Sequence, residues 1–437
     1  MKKFSLVLSL LFYSVFGFAQ QLLNPEEAVK IALENNFGIQ ISKKLELQAE
    51  NNASILNSGY LPTLSTAAGA NLSKDSQEAT FQDGRSQAVD GAETKRYNAS
   101  VNLNYTLFDG LGRMYTYKAL KEQYALSSLA VRQTIEQTLL QLYAAYFDVA
   151  QLEERVAIFD QTLANSKMRL QRAQKRFEFG STSRLEVLNA KVDANTDSIN
   201  LLQQIQSLSN AKRNLNLILA RDLEEDFSSN PNVRFVSDSV LAAHRSTYTA
   251  NNVRLLQAER NQEISVLQLK AQKSNLLPQL NLTGAYGYSE GVFPATNFLA
   301  SSNSRGLSAG LSLNWNLFSG GRQQVAIRNA KLAKESQELQ ELQIQQEVDR
   351  DLRNAEGNYR NAKVTYELQI DNVITAEDNY KRSQKRFELG QITSIELRQA
   401  QLNTLATELS RIQAKFTAKL AELEYLQHCG ALLNVTF

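Results

Sequence analysis

Apolar and polar side chains alternate strictly in two stretches of this chain. In residues 97–107 every second side chain is apolar, and residues 307–317 repeat the pattern, with weaker versions at 64–73 and 280–289. A period of two predicts β-strands, and about 10–12 residues with aromatic ends and an uncharged polar face suit a transmembrane β-strand. A half-buried sheet in a soluble domain would explain one such strand, but four of them favour a membrane sheet.

Much of the remaining chain has the spacing of packed helices. Apolar residues within 402–423 step by three or four positions, as in a coiled-coil seam. Runs without proline at 113–179 and 322–389 predict two helices of about 100 Å each, followed by return helices at 183–221 and 392–429. The chain has only 19 Gly and 5 Pro among 437 residues, as such long helices require.

One structural unit occurs twice in the sequence. Gln174–Gly180 reads QKRFEFG and Gln384–Gly390 reads QKRFELG, at an offset of 210 residues. Asn104–Gly110 (NYTLFDG) and Asn314–Gly320 (NWNLFSG) match at the same offset. Matches in the same order at one offset indicate an internal duplication. Each half is therefore predicted to hold a leading helix, two strands, a long helix, a glycine-containing turn and a return helix.

These patterns divide the chain into segments. Residues 1–19, with two lysines, an apolar run and small residues at the end, predict a secretory signal peptide, with a buried N-terminal helix as the alternative. The first leading helix is expected to run from a cap at Asn24 to about Ser58, and exposed loops are expected at 74–96 and 290–305. The later segments are the first leading helix (20–60), a β-hairpin (61–110), a helical hairpin (111–221), a linker (222–247), the second leading helix (248–276), a β-hairpin (277–320), a helical hairpin (321–430) and a C-terminal tail (431–437).

Composition excludes several classes of protein. The chain has 47 Lys and Arg against 45 Asp and Glu, so it lacks the basic excess of a nucleic-acid binder. A mean hydropathy of −0.35 excludes a bundle of transmembrane helices. One Cys and two His rule out Cys/His zinc clusters. Because phosphate-loop, nucleophile and metal-spaced histidine motifs are absent from the sequence, we expect no cofactor and no enzymatic activity.

The predicted strands imply self-assembly. Four strands from one chain cannot close a barrel, and an open sheet edge is not tolerated in lipid. Two chains would supply eight strands and three would supply twelve. Small residues on the polar strand faces, such as Ser308, Gly310 and Ser312, favour twelve strands around an open lumen.

Three features of the duplicated halves point together to one known family. They are the strand–strand–long-helix order, the LFDG and LFSG sequences between strand and helix, and the RFEFG and RFELG turns followed by Glu186 and Glu396. In these features the chain resembles the TolC-like outer membrane efflux proteins. The resemblance implies a mostly α fold with a small membrane β part, in which a trimeric 12-stranded β-barrel continues into a periplasmic α-helical barrel.

The resemblance also implies a function and partners. A homotrimer in the lipid of the outer membrane of a Gram-negative bacterium would be the exit duct of a tripartite efflux or type I secretion system. Its partners would be a periplasmic adaptor protein and an inner-membrane pump of the RND, ABC or MFS type. Drugs, metals or secreted proteins are the cargo of such systems.

Candidate site residues follow by position. The resemblance implies an adaptor-docking tip at the two turns, with candidates Arg172, Lys175, Arg176, Phe177, Gly180, Arg382, Lys385, Arg386, Phe387 and Gly390. It implies a channel constriction at Glu396, Gln399 and Glu186, although Gln399 stands where the family often has a second acidic residue. The strand pattern itself suggests membrane-interface aromatics at Tyr97, Tyr105, Tyr286, Tyr288 and Trp315.

Plainer explanations remain open for the same residues. Gly180 and Gly390 stand where a left-handed capping residue belongs in any helical hairpin. Glu396 and Gln399 suit a solvated helix face, and Cys429 suits an incidental buried position near a helix end. For the whole chain the alternative is a surface-anchored or periplasm-spanning coiled-coil adhesin or structural spacer. That alternative shares the signal peptide and the heptads but does not predict two duplicated strand pairs.

Overall fold

The computed structural model describes residues 21–434, which fall into two compact units. Each unit takes segments from both halves of the duplication. The predicted signal peptide, residues 1–19, lies outside the described residues, as does the end of the predicted tail. The first unit comprises the chain up to Lys44, Leu129–Leu256 and the chain from Gln343, and the second comprises Leu45–Ser128 and Gln257–Leu342.

The helices and strands follow the predicted order. In chain order they are β1 (Gln21–Leu23), α1 (Pro25–Asn35), α2 (Phe37–Asn52), β2 (Thr63–Thr80), β3 (Ser86–Phe108), α3 (Gly112–Glu178), α4 (Arg184–Leu219), β4 (Phe227–Ser229), α5 (Asp238–Ser246), α6 (Tyr248–Asn251), α7 (Val253–Ser274), β5 (Gln279–Val292), β6 (Ser301–Asn314), α8 (Arg322–Glu388) and α9 (Ser394–His428).

The second unit contains one antiparallel sheet. Its strand order is β2-β3-β5-β6, with Leu64 opposite Leu103 and Tyr97 opposite Glu290. All 14 residues of β6 are exposed. Among the described residues, neither β2 nor β6 has a second partner strand, so both edges of the sheet are open.

The strands are longer than predicted. β2 and β3 have 18 and 23 residues and enclose a short turn in which the Phe81 amide donates to the Arg85 carbonyl at 2.8 Å. The prediction of an exposed loop at 74–96 was therefore wrong over most of that segment. Its charged residues form cross-strand pairs such as Lys74–Glu93 at 3.7 Å. Such polar pairs hold two strands together without the alternation of apolar side chains by which strands were predicted. The second loop is likewise confined to residues 293–300.

The first leading helix is interrupted, contrary to the predicted continuous run to Ser58. Asn36 leaves the helical conformation, with φ −58° and ψ 126°, and separates α1 from α2. Its side-chain amide donates to the Ile218 carbonyl at 2.8 Å, and its side-chain oxygen accepts from the Ile39 amide at 3.2 Å. Asparagine breaks the helix here because its side chain replaces backbone bonds and ties the break to the end of α4.

The core of the first unit lies where β1 pairs in parallel with β4. Tyr146 is fully buried, donates to the Leu23 carbonyl at 2.7 Å and accepts from the Asn230 amide at 2.9 Å. Phe147 packs against Phe416 with ring centroids 5.7 Å apart. Of the predicted seam within 402–423, Ile412, Phe416 and Leu423 are buried, whereas Leu402 is exposed.

Within the described part of the chain, none of the helices has an apolar stretch long enough to cross a membrane.

Candidate functional site at the two helical turns

Both long helices end in the same way, at the turns marked by the RFEFG and RFELG motifs. Gly180 and Gly390 each have φ of +69°. In the first turn the Ser181 amide donates to the Arg176 carbonyl at 2.7 Å, and the Gly180 amide donates to the Phe177 carbonyl at 2.9 Å. The second turn repeats both bonds. This is the Schellman motif, for which glycine is suited because it adopts left-handed φ without strain.

Glu396 takes part in capping the N-terminus of α9. The amide and the hydroxyl of Thr393 donate to one Glu396 carboxylate oxygen at 2.7 and 2.9 Å, while the Glu396 amide donates to the Thr393 hydroxyl at 3.2 Å. This reciprocal pair is a capping box. The hydrogen bonds from Thr393 lower the pKa of the Glu396 carboxyl. The carboxylate is therefore exposed, held in one position and ionised at neutral pH.

Glu186 occupies the equivalent position of the first half but has different partners. Its carboxylate accepts a short hydrogen bond from the Thr182 hydroxyl and lies 3.6 Å from the Arg176 guanidinium. Gln399, one turn beyond Glu396, is exposed, and its side-chain amide donates to the Asn403 side-chain oxygen at 2.9 Å. Of the three predicted constriction residues, Glu396 and Gln399 thus share one stretch of α9, and Glu186 lies on α4.

A buried ion cluster joins three helices just beyond the turns. Arg398 of α9 binds Asp197 of α4 with two bonds of 2.8 Å, and the Ser166 hydroxyl of α3 donates to the same carboxylate. Arg169 lies 3.5 Å from Asp193, and Asp193 lies 3.6 Å from Arg398. The Asp197 and Arg398 side chains are only 2% and 13% exposed. Burial, and then the charge of Arg398, lower the pKa of the Arg169 guanidinium.

The predicted tip residues lie mostly at the surface. Arg172 reaches Glu388 at 3.8 Å, whereas Arg382 pairs with Asp378 on its own helix at 2.8 Å. Phe177 is 45% exposed. Lys175, Lys385 and Arg386 have no ion-pair partner among the residues that the structure describes.

A cavity of 890 Å³ lies between the two turns. One of its walls comes from α3 and α4, and the other comes from the end of α8 and the start of α9. The residues that line it are Arg169, Arg172, Ala173, Lys175, Arg176, Glu186, Asn189, Ala190, Val192, Asp193, Phe387, Glu388, Leu389, Gly390, Ser394, Ile395 and Arg398. The structure thus brings five of the predicted tip residues and Glu186 to one groove.

The predicted interface aromatics belong to the second unit. Tyr97 and Tyr105 lie in β3, and Tyr286 and Tyr288 lie in β5. Trp315 was placed on a strand, but β6 ends one residue before it. Its indole N–H donates to the Leu276 carbonyl at 3.0 Å, a bond that holds the ring at the strand end.

Sequence reasoning missed the buried ion cluster. It selected none of its members, which are Arg169, Ser166, Asp193, Asp197 and Arg398. The available signal was weak: Asp193 and Asp197 stand four residues apart, on one face of the predicted return helix. Their partners lie on other helices, and that pairing is a tertiary property. Among the described residues, no group of His, Cys, Asp and Glu is arranged to hold a metal ion.

Comparison with known proteins identifies the family. The model of the outer membrane efflux protein family matches residues 28–221 and 245–427, one segment in each half of the duplication. The chain belongs to the outer membrane efflux protein family. The predicted family is thereby confirmed.

Two curated outer membrane proteins are distantly related to this chain over most of its length. The outer membrane efflux protein BepC of Brucella suis biovar 1 (strain 1330) is 22% identical over 401 residues, which cover 92% of this chain and 84% of BepC. The outer membrane protein TolC of Salmonella enteritidis is 23% identical over 365 residues, which cover 81% of this chain and 72% of TolC.

Solved structures of outer membrane channels share the fold. The CmeC outer membrane channel of Campylobacter jejuni superposes with a TM-score of 0.78 at 15% identity, covering 93% of this chain and 86% of CmeC. The outer membrane protein VceC of Vibrio cholerae superposes with a TM-score of 0.75 at 15% identity, covering 93% of this chain and 96% of VceC. The predicted mostly α, TolC-like fold is confirmed.

Family membership settles the general location and class. The protein is an outer membrane efflux channel of a Gram-negative bacterium with an extended periplasmic helical part, as predicted. Outer membrane efflux channels are not enzymes, which confirms the expectation of no enzymatic activity. The alternative of a coiled-coil adhesin or spacer has no support among these relatives.

Proposed function

We propose that three copies of this chain form one export duct of a tripartite efflux or type I secretion system. The observation that carries the proposal is the four-stranded sheet with two open edges, β2 and β6. A sheet in lipid must close because its edge groups cannot bond to water there. Joining β2 of one copy to β6 of the next closes a 12-stranded barrel from three copies.

The predicted segments take roles in this duct. The hairpins at 61–110 and 277–320 would form the membrane barrel, and the helical hairpins at 111–221 and 321–430 would line the periplasmic channel. The five predicted aromatics, Tyr97, Tyr105, Tyr286, Tyr288 and Trp315, would lie at the membrane interfaces, where amphipathic rings are favoured.

Disulfide crosslinking tests the closure of the barrel. In a Cys429→Ala background, Thr66→Cys in β2 is combined with single cysteine substitutions scanned along β6. Edge-to-edge closure predicts that one of these pairs yields a covalent three-chain species on a denaturing gel. A two-chain limit at every position, or no crosslink at any, would contradict the trimeric ring.

The groove between the turns is the proposed site of adaptor docking. Charged and apolar side chains that are exposed to solvent meet in this groove, which is typical of a protein interface. Phe387→Ala combined with Leu389→Ala should abolish efflux in cells that lack their own channel, while the protein still reaches the outer membrane. Unchanged drug susceptibility with normal insertion would refute docking at this site.

Glu396, Gln399 and Glu186 are the proposed constriction. Glu396 supports this role because its carboxylate is exposed, ionised and fixed by the capping box, so three copies would present three ordered charges. In planar bilayers, Glu396→Gln should change single-channel conductance or its block by divalent cations. Glu377→Gln, an equal change in charge on α8, is the control. Identical recordings from both variants would eliminate Glu396 as a constriction residue.

A further inference from the structure

One face of the four-stranded sheet is apolar, and the register of the strands fixes which side chains share that face. Leu103 of β3 lies opposite Leu64 of β2 and Gly284 of β5. In the same way, Leu282 of β5 lies opposite Leu311 of β6. Because side chains alternate along a strand, every second residue from these positions lies on the same side of the sheet. In the proposed barrel this apolar side contacts lipid.

The two ends of this apolar face differ in charge. At one end the strands join helices α2, α3, α7 and α8, and at the other end they are connected by residues 81–85 and 293–300. Since the helical part of the channel is periplasmic, the connected end faces the outside of the cell. In the regularly paired part of the sheet that the structure describes, the helix end of this face has no charged side chain. The charged residues of its outer end are Lys74, Glu93, Lys95, Glu290 and Arg305.

Two of these cations share a single carboxylate. Lys74 and Lys95 each lie 3.7 Å from a Glu93 carboxylate oxygen. The side chains of Lys74, Glu93 and Lys95 are 67%, 50% and 46% exposed. Exposed ion pairs of this length contribute little to stability and are readily replaced by other partners. The three residues together therefore carry a net positive charge that is available to a ligand.

Arg305 of β6 is a third cation on the same face. Its guanidinium lies over the Tyr288 ring, 5.4 Å from the ring centroid, and forms no ion pair with any residue that the structure describes. Glu290, the second carboxylate at this end, accepts a hydrogen bond from the Tyr288 hydroxyl at 2.8 Å. The ring thus holds the guanidinium beside one of the predicted membrane-interface aromatics. A planar guanidinium matches the geometry of a phosphate group.

We propose that Lys74, Lys95 and Arg305 bind the phosphate groups of the glycolipid in the outer leaflet of the outer membrane. The acyl chains of the lipid lie along the apolar face, and its phosphates lie at the level of these cations. Basic side chains next to a membrane-spanning segment attract anionic headgroups in this way. A free anion contacts the cations but leaves the apolar face uncovered, so a lipid fits both features. The inference rests on the proposed barrel and adds the chemistry of the lipid that it binds.

Competition between two lipids on the purified full-length protein tests the inference. The protein in detergent is mixed with equal amounts of lipid A and of lipid A without its phosphates, and is then re-isolated by size-exclusion chromatography. Mass spectrometry of the retained lipid should show a preference for the phosphorylated form, which shrinks as salt rises. Equal retention of both lipids would overturn the proposal.

Inorganic phosphate distinguishes the lipid from a free anion. At the concentration of the lipid it should leave the phosphorylated lipid in place, because it has no acyl chains to lie against the apolar face. Complete displacement of the lipid by inorganic phosphate would assign the cations to a free anion and overturn the lipid proposal.

Two arginine substitutions locate the binding site. Arg305→Gln should lower the preference for the phosphorylated lipid by about fivefold, because one cation near an anionic membrane surface is lost. Arg96→Gln is the matched control. Arg96 also lies over an aromatic ring, that of Phe293 at 5.8 Å, but stands on the opposite face of the sheet, and its loss should leave the preference unchanged. No loss of preference in Arg305→Gln, or an equal loss in both variants, would refute binding at the apolar face.

Recordings in planar bilayers separate this inference from the duct function. Samples that form pores but retain both lipids equally would overturn the lipid proposal alone. Samples that form no pore and retain both lipids equally would refute the barrel as well.

Discussion

Removing one partner of the buried pair of Arg398 and Asp197 should destabilise the helical end of the first unit strongly. Arg398→Met removes a cation that makes two 2.8 Å bonds and leaves a carboxylate that is only 2% exposed. Breaking a buried pair from one side typically costs about 3–5 kcal/mol. Because Ser166 still donates to Asp197 and Arg169 lies nearby, we expect about 3 kcal/mol here, at the lower end of that range.

Denaturant unfolding followed by far-ultraviolet circular dichroism measures this loss. Arg398→Met combined with Asp197→Leu should recover most of this loss, since neither residue of the pair is then left as a buried charge without its partner. Arg382→Met is the matched control because Arg382 pairs with Asp378 at the surface, and its stability should equal that of the wild type. If Arg398→Met and Arg382→Met have the same free energy of unfolding, burial of the pair is not the cause of the destabilisation. The same conclusion holds if the double variant is no more stable than Arg398→Met.

Four further substitutions have defined outcomes. Tyr146→Phe should lower the free energy of unfolding by about 1–3 kcal/mol, because the buried Leu23 carbonyl and the half-buried Asn230 amide lose their hydrogen bonds to the hydroxyl. Gly180→Ala and Gly390→Ala should each cost about 1 kcal/mol in the same assay, because φ of +69° strains any residue with a Cβ atom. The stability advantage of the wild type over Glu396→Gln should be present at neutral pH and vanish as pH falls through the lowered pKa of Glu396, because protonation removes the anion that accepts the capping bonds.

The duplication made the turns and the strands predictable. Gly180 and Gly390 could be located from sequence because a left-handed cap favours one residue type and a repeated motif marks both positions. The four strands could be located because side chains alternate wherever one face is apolar. The full length of the strands could not be predicted, because beyond residue 74 both faces of β2 are polar and its pairing with β3 is held by polar cross-strand pairs.

Features that depend on tertiary contacts could not be predicted from the sequence. Asn36 breaks the leading helix by binding the carbonyl of Ile218, which is 182 residues away. Arg398 and Asp197 are separated by 201 residues and look like ordinary surface charges in a local window. Glu396 illustrates the intermediate case: its position suggested a constriction, but its capping role depends on Thr393 three residues before it. That spacing is a recognisable sequence signature.

Electrical recording on the purified full-length protein tests the central proposal most directly. If three copies form an open-ended duct, reconstitution into planar bilayers should give discrete conductance steps, and the Glu396→Gln variant should give steps of altered size or altered cation block. A pure, folded, membrane-inserted protein that carries no current under any condition would contradict the export duct.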